Sequence, residues 1–169
     1  MTRIRHLPRT FVLAAALILP AACAHTPPTP RNVHFDSAKH EPHANDDYVV
    51  IGRALATLDE EPKLRVLVVG HTDSVGDAEA NRQLAFKRAN RVRALLVDQD
   101  ASLIHRLDLA YFGKDRPIAE NDTEEGKAKN RRVELYFYYP KTNETNEVKL
   151  QRDFGGSLEF QASGSVAAK

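Results

Sequence analysis

The sequence predicts an α+β fold, a two-layer sandwich in which helices pack on one face of a four-stranded mixed sheet. Two observations lead to this prediction. Short apolar runs typical of strands alternate along the chain with segments whose apolar residues recur at helical spacing. Residues 32–140, which show this alternation, are long enough for one domain with its own hydrophobic core.

A strand, a helix and a buried strand make up the first half of the domain. Residues 33–35 alternate as the first strand, and residues 45–47 supply capping side chains for a helix through Leu58. Residues 64–69, a β-branched apolar run, form the second strand. The helix has a core-facing stripe made of Tyr48, Ile51, Leu55 and Leu58.

The second half begins with the longest helix, from about Asp77. A polar link with a single turn then leads to a strand at residues 107–112, whose alternation buries one face. A short helix at 123–130 and an aromatic-rich strand at 133–139 complete the sheet. The long helix has a stripe roughly 140° wide, which contains Asn81, Leu84, Ala85, Arg88, Ala89, Val92, Leu95 and Leu96.

Arg88 is a charged residue on this core-facing stripe, so it must find a partner or extend to solvent. The candidate acid is Asp73, in the loop that leads into the helix, and Asn81 lies two turns before Arg88 on the same face. Such a notch suits a zwitterion, whose ammonium would go to Asp73 and whose carboxylate would go to Arg88. The alternative, which spacing alone favours, is that Asp73 and Arg88 form a structural ion pair.

These residues belong to a longer pattern. Gly-His-Thr-Asp at 70–73, with Gly76, Asn81, Leu84 and Arg88-Ala89, precedes Asn-Arg-Arg-Val-Glu at 130–134. The combination resembles the C-terminal domain of the OmpA family, which includes the peptidoglycan-associated lipoproteins, from about residue 33 to 139. The resemblance implies the OmpA-like sandwich and noncovalent binding of peptidoglycan through the diaminopimelate of its peptide stems.

The resemblance also implies roles for individual residues. Asp73 and Arg88 would be the main ligands of diaminopimelate. Arg131 would brace the binding loop, and Arg132 would brace it or reach glycan or stem carboxylates. Ala85 replaces the usual serine, which predicts a weaker hydrogen bond on the helix face without loss of binding. The supporting positions are Phe35, Asp36, Thr72, Asn81 and Leu84 around the ligand, and Asn130 behind them.

Residues 1–22 are typical of a secretory signal, with three Arg, no acid and an apolar run too short to span a membrane. Cys23, the only cysteine, is the predicted lipidation site, although Pro20 replaces the usual Leu of a lipobox. The alternative is ordinary cleavage that releases a soluble periplasmic protein. With lipidation, a Pro-rich tether at 23–31 would hold the domain on the periplasmic face of the outer membrane.

Residues 141–169 form a polar tail that we expect to be mostly disordered. Residues 148–151 and 157–161 alternate around Gly155-Gly156, a pattern that permits a hairpin. An isolated hairpin is only marginally stable in water.

Charge and composition narrow the function. Beyond the signal the chain carries 21 basic and 23 acidic residues, since three of the 24 basic residues precede residue 23, and this near-balance predicts no nucleic-acid binding. His34, His40 and His43 lack the spacing of a zinc site, so no metal or cofactor is predicted. The favoured function is a peptidoglycan-binding lipoprotein without enzymatic activity. Its alternatives are a protein-interaction module of an envelope complex of Tol type and, least favoured, a wall-acting enzyme built on His71 and Asp73.

Overall fold

The computed structural model describes residues 26–140 and the backbone of residues 159–161. The signal, Cys23 and most of the tail therefore lie outside the described residues. The strands are β1 (Arg31–His34), β2 (Arg65–His71), β3 (Leu107–Gly113), β4 (Arg132–Tyr138) and β5 (Glu159–Gln161). The helices are α1 (Asn45–Glu60), α2 (Ala78–Gln99) and α3 (Glu124–Asn130), and a 3-10 turn at Ala101–His105 follows α2.

The strands form one mixed sheet in the order β1-β4-β2-β3-β5. Strand β2 lies at its centre, antiparallel to β4 and parallel to β3. The predicted α+β fold with a mixed four-stranded sheet is confirmed, and β5 adds a short fifth strand antiparallel to β3. β5 falls within the second strand of the proposed hairpin but pairs with β3; residues 148–151 lie outside the described residues.

Helices α1 and α2 pack on one face of the sheet because each buries an apolar stripe there. On α1 this stripe is Asp47, Ile51, Ala54 and Leu58. The prediction that Tyr48 belongs to the core is wrong, since its side chain is 45% exposed. Asp47 takes the inward position instead and accepts hydrogen bonds from the backbone N–H groups of His34 and Ala44, at 2.8 and 3.2 Å.

The other face of the sheet is also buried. Leu67 and Val69 of β2 and Ala110 of β3 form a second apolar cluster with no exposed surface, and Asp108 is 1% exposed. The prediction of a single buried face for β3 is therefore wrong. The alternation along β3 correctly assigns its side chains to the two faces of the sheet. The polar Asp108 and the small Ala110 nevertheless do not mark an exposed face, because both are buried.

Gly70 allows α2 to approach β2 closely. A Cβ atom at this position would lie 2.1 Å from the carbonyl oxygen of Ala85, which is closer than atoms can pack. Strand β2 continues through His71, so Gly70 is part of the strand rather than of the loop that follows it. Among the described residues, no helix is long and apolar enough to cross a membrane.

Candidate functional site

One end of the sheet gathers the segments that carry the predicted ligands. His34 at the end of β1 is opposite Arg132 at the start of β4, and His71 at the end of β2 is opposite Gly113 at the end of β3. The loops after β1 and β2 therefore meet the start of β4. Residues separated by almost 100 positions in the chain come together there.

Arg88 links two of these loops from α2. Its side chain has no exposed surface, and it donates to the carbonyl oxygens of Lys39, Asp36 and His71 at 2.9, 2.9 and 3.1 Å. The guanidinium also lies 5.2 Å from the centre of the Phe35 ring. Burial lowers the pKa of Arg88 to about 10, against the opposing effect of Asp73, so the side chain stays charged at neutral pH.

Asp73 pairs with Arg131. The Nη1 atom of Arg131 lies 3.0 Å from a carboxylate oxygen of Asp73, and its Nε donates to the carbonyl oxygen of Phe35 at 3.2 Å. The other carboxylate oxygen accepts from the backbone N–H of Val75 at 3.3 Å. The structural ion pair that spacing favoured, Asp73 with Arg88, is not formed, because Arg131, at the end of α3, pairs with Asp73 instead.

Asp36 lines a cavity of about 370 Å³ beside this ion pair. Lys39 and His43 hydrogen-bond its carboxylate, at 2.8 and 2.5 Å, and these contacts lower its pKa. Phe35 and Arg131 also line the cavity. Its wall therefore contains both carboxylates and cations, the groups that a zwitterionic ligand requires.

Asn81 and Thr72 shape the loop after β2. The Asn81 side-chain amide donates to the carbonyl oxygens of Val75 and Asp77, at 2.8 and 3.0 Å, and so fixes the turn before α2. The Thr72 side chain is buried, and its hydroxyl has no hydrogen-bond partner among the described residues. Leu84 is half-buried on α2, one turn before Arg88.

Asn130 supports the loops of the site without lining the cavity, and its side chain is fully buried. Its oxygen accepts from the backbone N–H groups of Ile118 and Ala119, at 2.8 and 3.1 Å. Its nitrogen donates to the Asn121 side chain at 3.0 Å, whose oxygen in turn accepts from the backbone N–H of Ser74. Asn130 thus supports, through Asn121, the loop that carries Asp73.

Arg132 is directed away from the other predicted residues. Arg131 ends α3 and faces the site, whereas Arg132, the first residue of β4, lies on the face without helices, paired with Glu134 at 2.5 Å. The His71–Asp73 dyad of the enzyme hypothesis is also not formed. Both ring nitrogens of His71 lack a hydrogen-bond partner among the described residues.

Sequence reasoning missed several residues of the cavity wall: His34, His43, Ala44, Asp46, Asp47, Ala128 and Lys129. Their only signal was proximity to Phe35-Asp36 and to Arg131 along the chain. Within the described part of the chain, no three His, Cys, Asp or Glu side chains come together as a metal site. The cavity offers charged and polar groups for direct contact with a ligand.

Comparisons with known proteins identify similar chains. Probable lipoprotein YiaD of Escherichia coli (strain K12) is 43% identical over 108 residues, 63% of this chain and 48% of that protein. The peptidoglycan-associated lipoprotein of Pseudomonas aeruginosa is 45% identical over 71 residues, 42% of either chain. This chain therefore spans less than half the length of these curated relatives.

Solved structures share the fold. The crystal structure of the peptidoglycan-associated lipoprotein from Burkholderia pseudomallei superposes with a TM-score of 0.58 at 29% identity, covering 64% of this chain and 90% of that chain. The C-terminal domain of Helicobacter pylori MotB gives a TM-score of 0.57 at 27% identity, covering 75% and 98%.

The model of the OmpA family matches residues 35–131, more than half of the chain. This range begins at Phe35 beside the cavity and ends at Arg131, the partner of Asp73. It therefore contains Asp36, Asp73, Arg88 and Arg131, and the chain belongs to the OmpA family.

Proposed function

We propose that this protein binds peptidoglycan noncovalently, through the free zwitterionic end of diaminopimelate, and tethers the outer membrane to the cell wall. The observation that carries the proposal is the Asp73–Arg131 pair beside a cavity that Asp36 lines. Similarity to proteins named peptidoglycan-associated lipoprotein and peptidoglycan-binding protein supports it. The proposed function involves no chemical step on the wall.

The free end of diaminopimelate carries an ammonium and a carboxylate on one carbon. Asp73 and Asp36 are acceptors for the ammonium, and guanidinium groups are donors for the carboxylate. Arg131 faces the cavity and can offer a carboxylate the N–H groups that its contacts with Asp73 and Phe35 do not use. Arg88 is fully buried, so direct contact with it requires the segment at residues 36–39 to move.

Sedimentation of the purified chain from residue 26 onward with insoluble peptidoglycan tests the binding. We expect wild type to pellet, and Asp73→Asn and Arg131→Gln to stay in the supernatant while their circular dichroism remains native. Asp98→Asn, which changes an exposed acid at the far end of α2, is the matched control and should pellet like wild type.

Competition tests the ligand. Free diaminopimelate should release the bound protein, whereas lysine with its α-amino and α-carboxyl groups blocked, which keeps only the ammonium at its far end, should not. Wild type that stays in the supernatant would refute peptidoglycan binding, and equal release by the blocked lysine would refute recognition of the zwitterion.

Lipid anchoring at Cys23 is a separate part of the proposal. Cys23→Ser should move the protein from the outer-membrane fraction to the soluble periplasmic fraction, because a lipidated cysteine is the proposed anchor. Cell fractionation with the wild-type chain as control measures this. An unchanged distribution would show that Cys23 does not hold the protein on the membrane.

A role in an envelope complex of Tol type is a second proposal. Tyr48 and Val49 at the start of α1 are 45% and 49% exposed and adjacent, an apolar feature that a protein partner could cover. Cross-linking in cells followed by purification, with Tyr48→Ser as the comparison, would test it. Loss of a cross-linked partner in the variant is expected, and an unchanged set of partners would reject this surface.

A further inference from the structure

A second cavity, of about 200 Å³, lies on the face of the sheet opposite α1 and α2. We call it the back pocket. It is separated from the candidate site by the sheet, since Arg131 lines the first cavity and Arg132, the next residue, lines the back pocket. The side chains that matter to its chemistry are His71, Phe112, Arg116, Arg132, Glu134 and Tyr136.

The back pocket contains buried polar atoms without partners. Arg132 is 2% exposed; its Nε and Nη2 contact Glu134, but its Nη1 has no hydrogen-bond partner among the described residues. His71 is also 2% exposed, and neither ring nitrogen has one. Its nearest ionic neighbour is Glu134, 3.9 Å from Nε2. Buried polar groups are nearly always paired, so this cluster calls for an explanation.

The charge of the back pocket is positive. Arg132 and Arg116 contribute two guanidinium groups, and the Arg116 guanidinium lies 4.1 Å from the centre of the Phe112 ring. Glu134 contributes one carboxylate. Burial and the two guanidinium groups lower the pKa of His71 to about 3, so its ring is neutral at physiological pH and keeps one N–H donor.

Size limits what can enter. Sites for drug-sized ligands usually enclose about 300–1,000 Å³, and the back pocket is smaller than that range. A small monoanionic group matches both the volume and the single excess positive charge. Guanidinium groups recognise carboxylates with two parallel hydrogen bonds. In the back pocket, Nη1 of Arg132 and the guanidinium of Arg116 could each donate to one carboxylate.

We propose that the back pocket is a binding site for a small carboxylate, held by Nη1 of Arg132, by Arg116 and by the N–H of neutral His71. The carboxylate could be a free organic acid or the C-terminal carboxylate of a peptide. The proposal is independent of peptidoglycan binding, because none of the three residues faces the cavity that holds Asp36.

The test follows the imidazole signals of His71 by NMR in the chain from residue 26 onward. Acetate replaces chloride in steps, so that the ionic strength stays constant. The imidazole signals that disappear in the His71→Gln variant are assigned to His71. At neutral pH we expect a saturable shift with acetate, since its carboxylate accepts a hydrogen bond from the N–H of the His71 ring. Ala-Ala dipeptide should act like acetate if peptide termini bind, whereas its C-terminal amide should have no effect.

Two variants separate binding from folding. Arg132→Gln leaves the Glu134 carboxylate without its cation, so this variant could fail to fold. Arg116 is only half-buried, and Arg116→Gln is therefore the main variant. It should weaken acetate binding about tenfold, the effect expected for one charge-assisted contact, while Arg82→Gln on α2 should bind like wild type. No saturable shift in wild type, an equal affinity in Arg116→Gln, or binding of phosphate but not acetate would overturn the proposal.

Discussion

Replacing Arg88 by Ala tests whether this buried side chain holds the loop after β1 against the end of β2. The substitution removes three hydrogen bonds from a charged donor to backbone carbonyls. Each such bond contributes about 1.5–3 kcal/mol, but removal also relieves the cost of burying the charge. We therefore expect a loss of about 3–5 kcal/mol, the range for breaking a buried ionic contact.

Urea unfolding followed by far-ultraviolet circular dichroism measures this loss. Small domains have slopes of about 1–3 kcal/mol per molar urea, so the midpoint should fall by roughly 2 M. Arg88→Lys should recover only part of the loss, because one ammonium cannot reproduce the forked contacts of a guanidinium. Arg82→Ala removes an exposed ion pair with Glu79 on the same helix and should change the stability by less than about 0.5 kcal/mol.

The reasoning would be refuted if Arg88→Ala were as stable as Arg82→Ala, or if Arg88→Lys were as stable as wild type. Peptidoglycan sedimentation of the folded Arg88→Lys variant adds a separate result. Native stability with lost binding would assign Arg88 a direct role in ligand contact. Reduced stability with retained binding would assign it a positioning role.

Three further predictions concern other elements. Gly70→Ala should cost several kcal/mol or prevent folding, because its Cβ would overlap the carbonyl of Ala85; thermal unfolding checks this, and wild-type stability would contradict it. The pKa of His71 is about 3 in the folded state and about 6.5 in the unfolded state. Between these two pH values the unfolded state therefore binds one proton more than the folded state. Stability should thus be full above pH 6.5 and fall toward pH 3; His71→Phe should flatten this decline in urea titrations, whereas exposed His40→Gln should not. Asn130→Ala should speed hydrogen exchange at the Ile118 amide, which loses its acceptor, and unchanged exchange would contradict the bracing role.

The positions of the helices and strands could be predicted because long periodic segments bury one face. The inward direction of Arg88 follows from its place on the α2 stripe in the same way. Its acceptors could not be predicted, because they are backbone carbonyls, and any residue type supplies a carbonyl. The start of α1 follows Ala44, which has no capping side chain, so the sequence placed the cap on residues 45–47 instead.

The partner of Asp73 could not be predicted for a related reason. Arg131 is 58 positions away in the chain, and it reaches the loop only because β4, which begins at the next residue, pairs with β2. The helical spacing of α2 favours Arg88 as the partner of Asp73 instead, because Arg88 is closer to Asp73 in the sequence. Arg131 ends α3 and Arg132 begins β4, so the separation of the two cavities depends on the junction between them and was not available from strand alternation.

The short edge strand β1 has a mechanical consequence if the protein is a tether. Tension from a membrane anchor would enter through the residues before Arg31, which is opposite Leu135 in the middle of β4, while tension from the wall would enter the rest of the domain through the Asp73–Arg131 pair, at the end of the sheet where β1 finishes. The two forces would then pull along the strand axis. The hydrogen bonds between β1 and β4 would be loaded together in shear, a geometry that resists rupture better than opening them one at a time from an end.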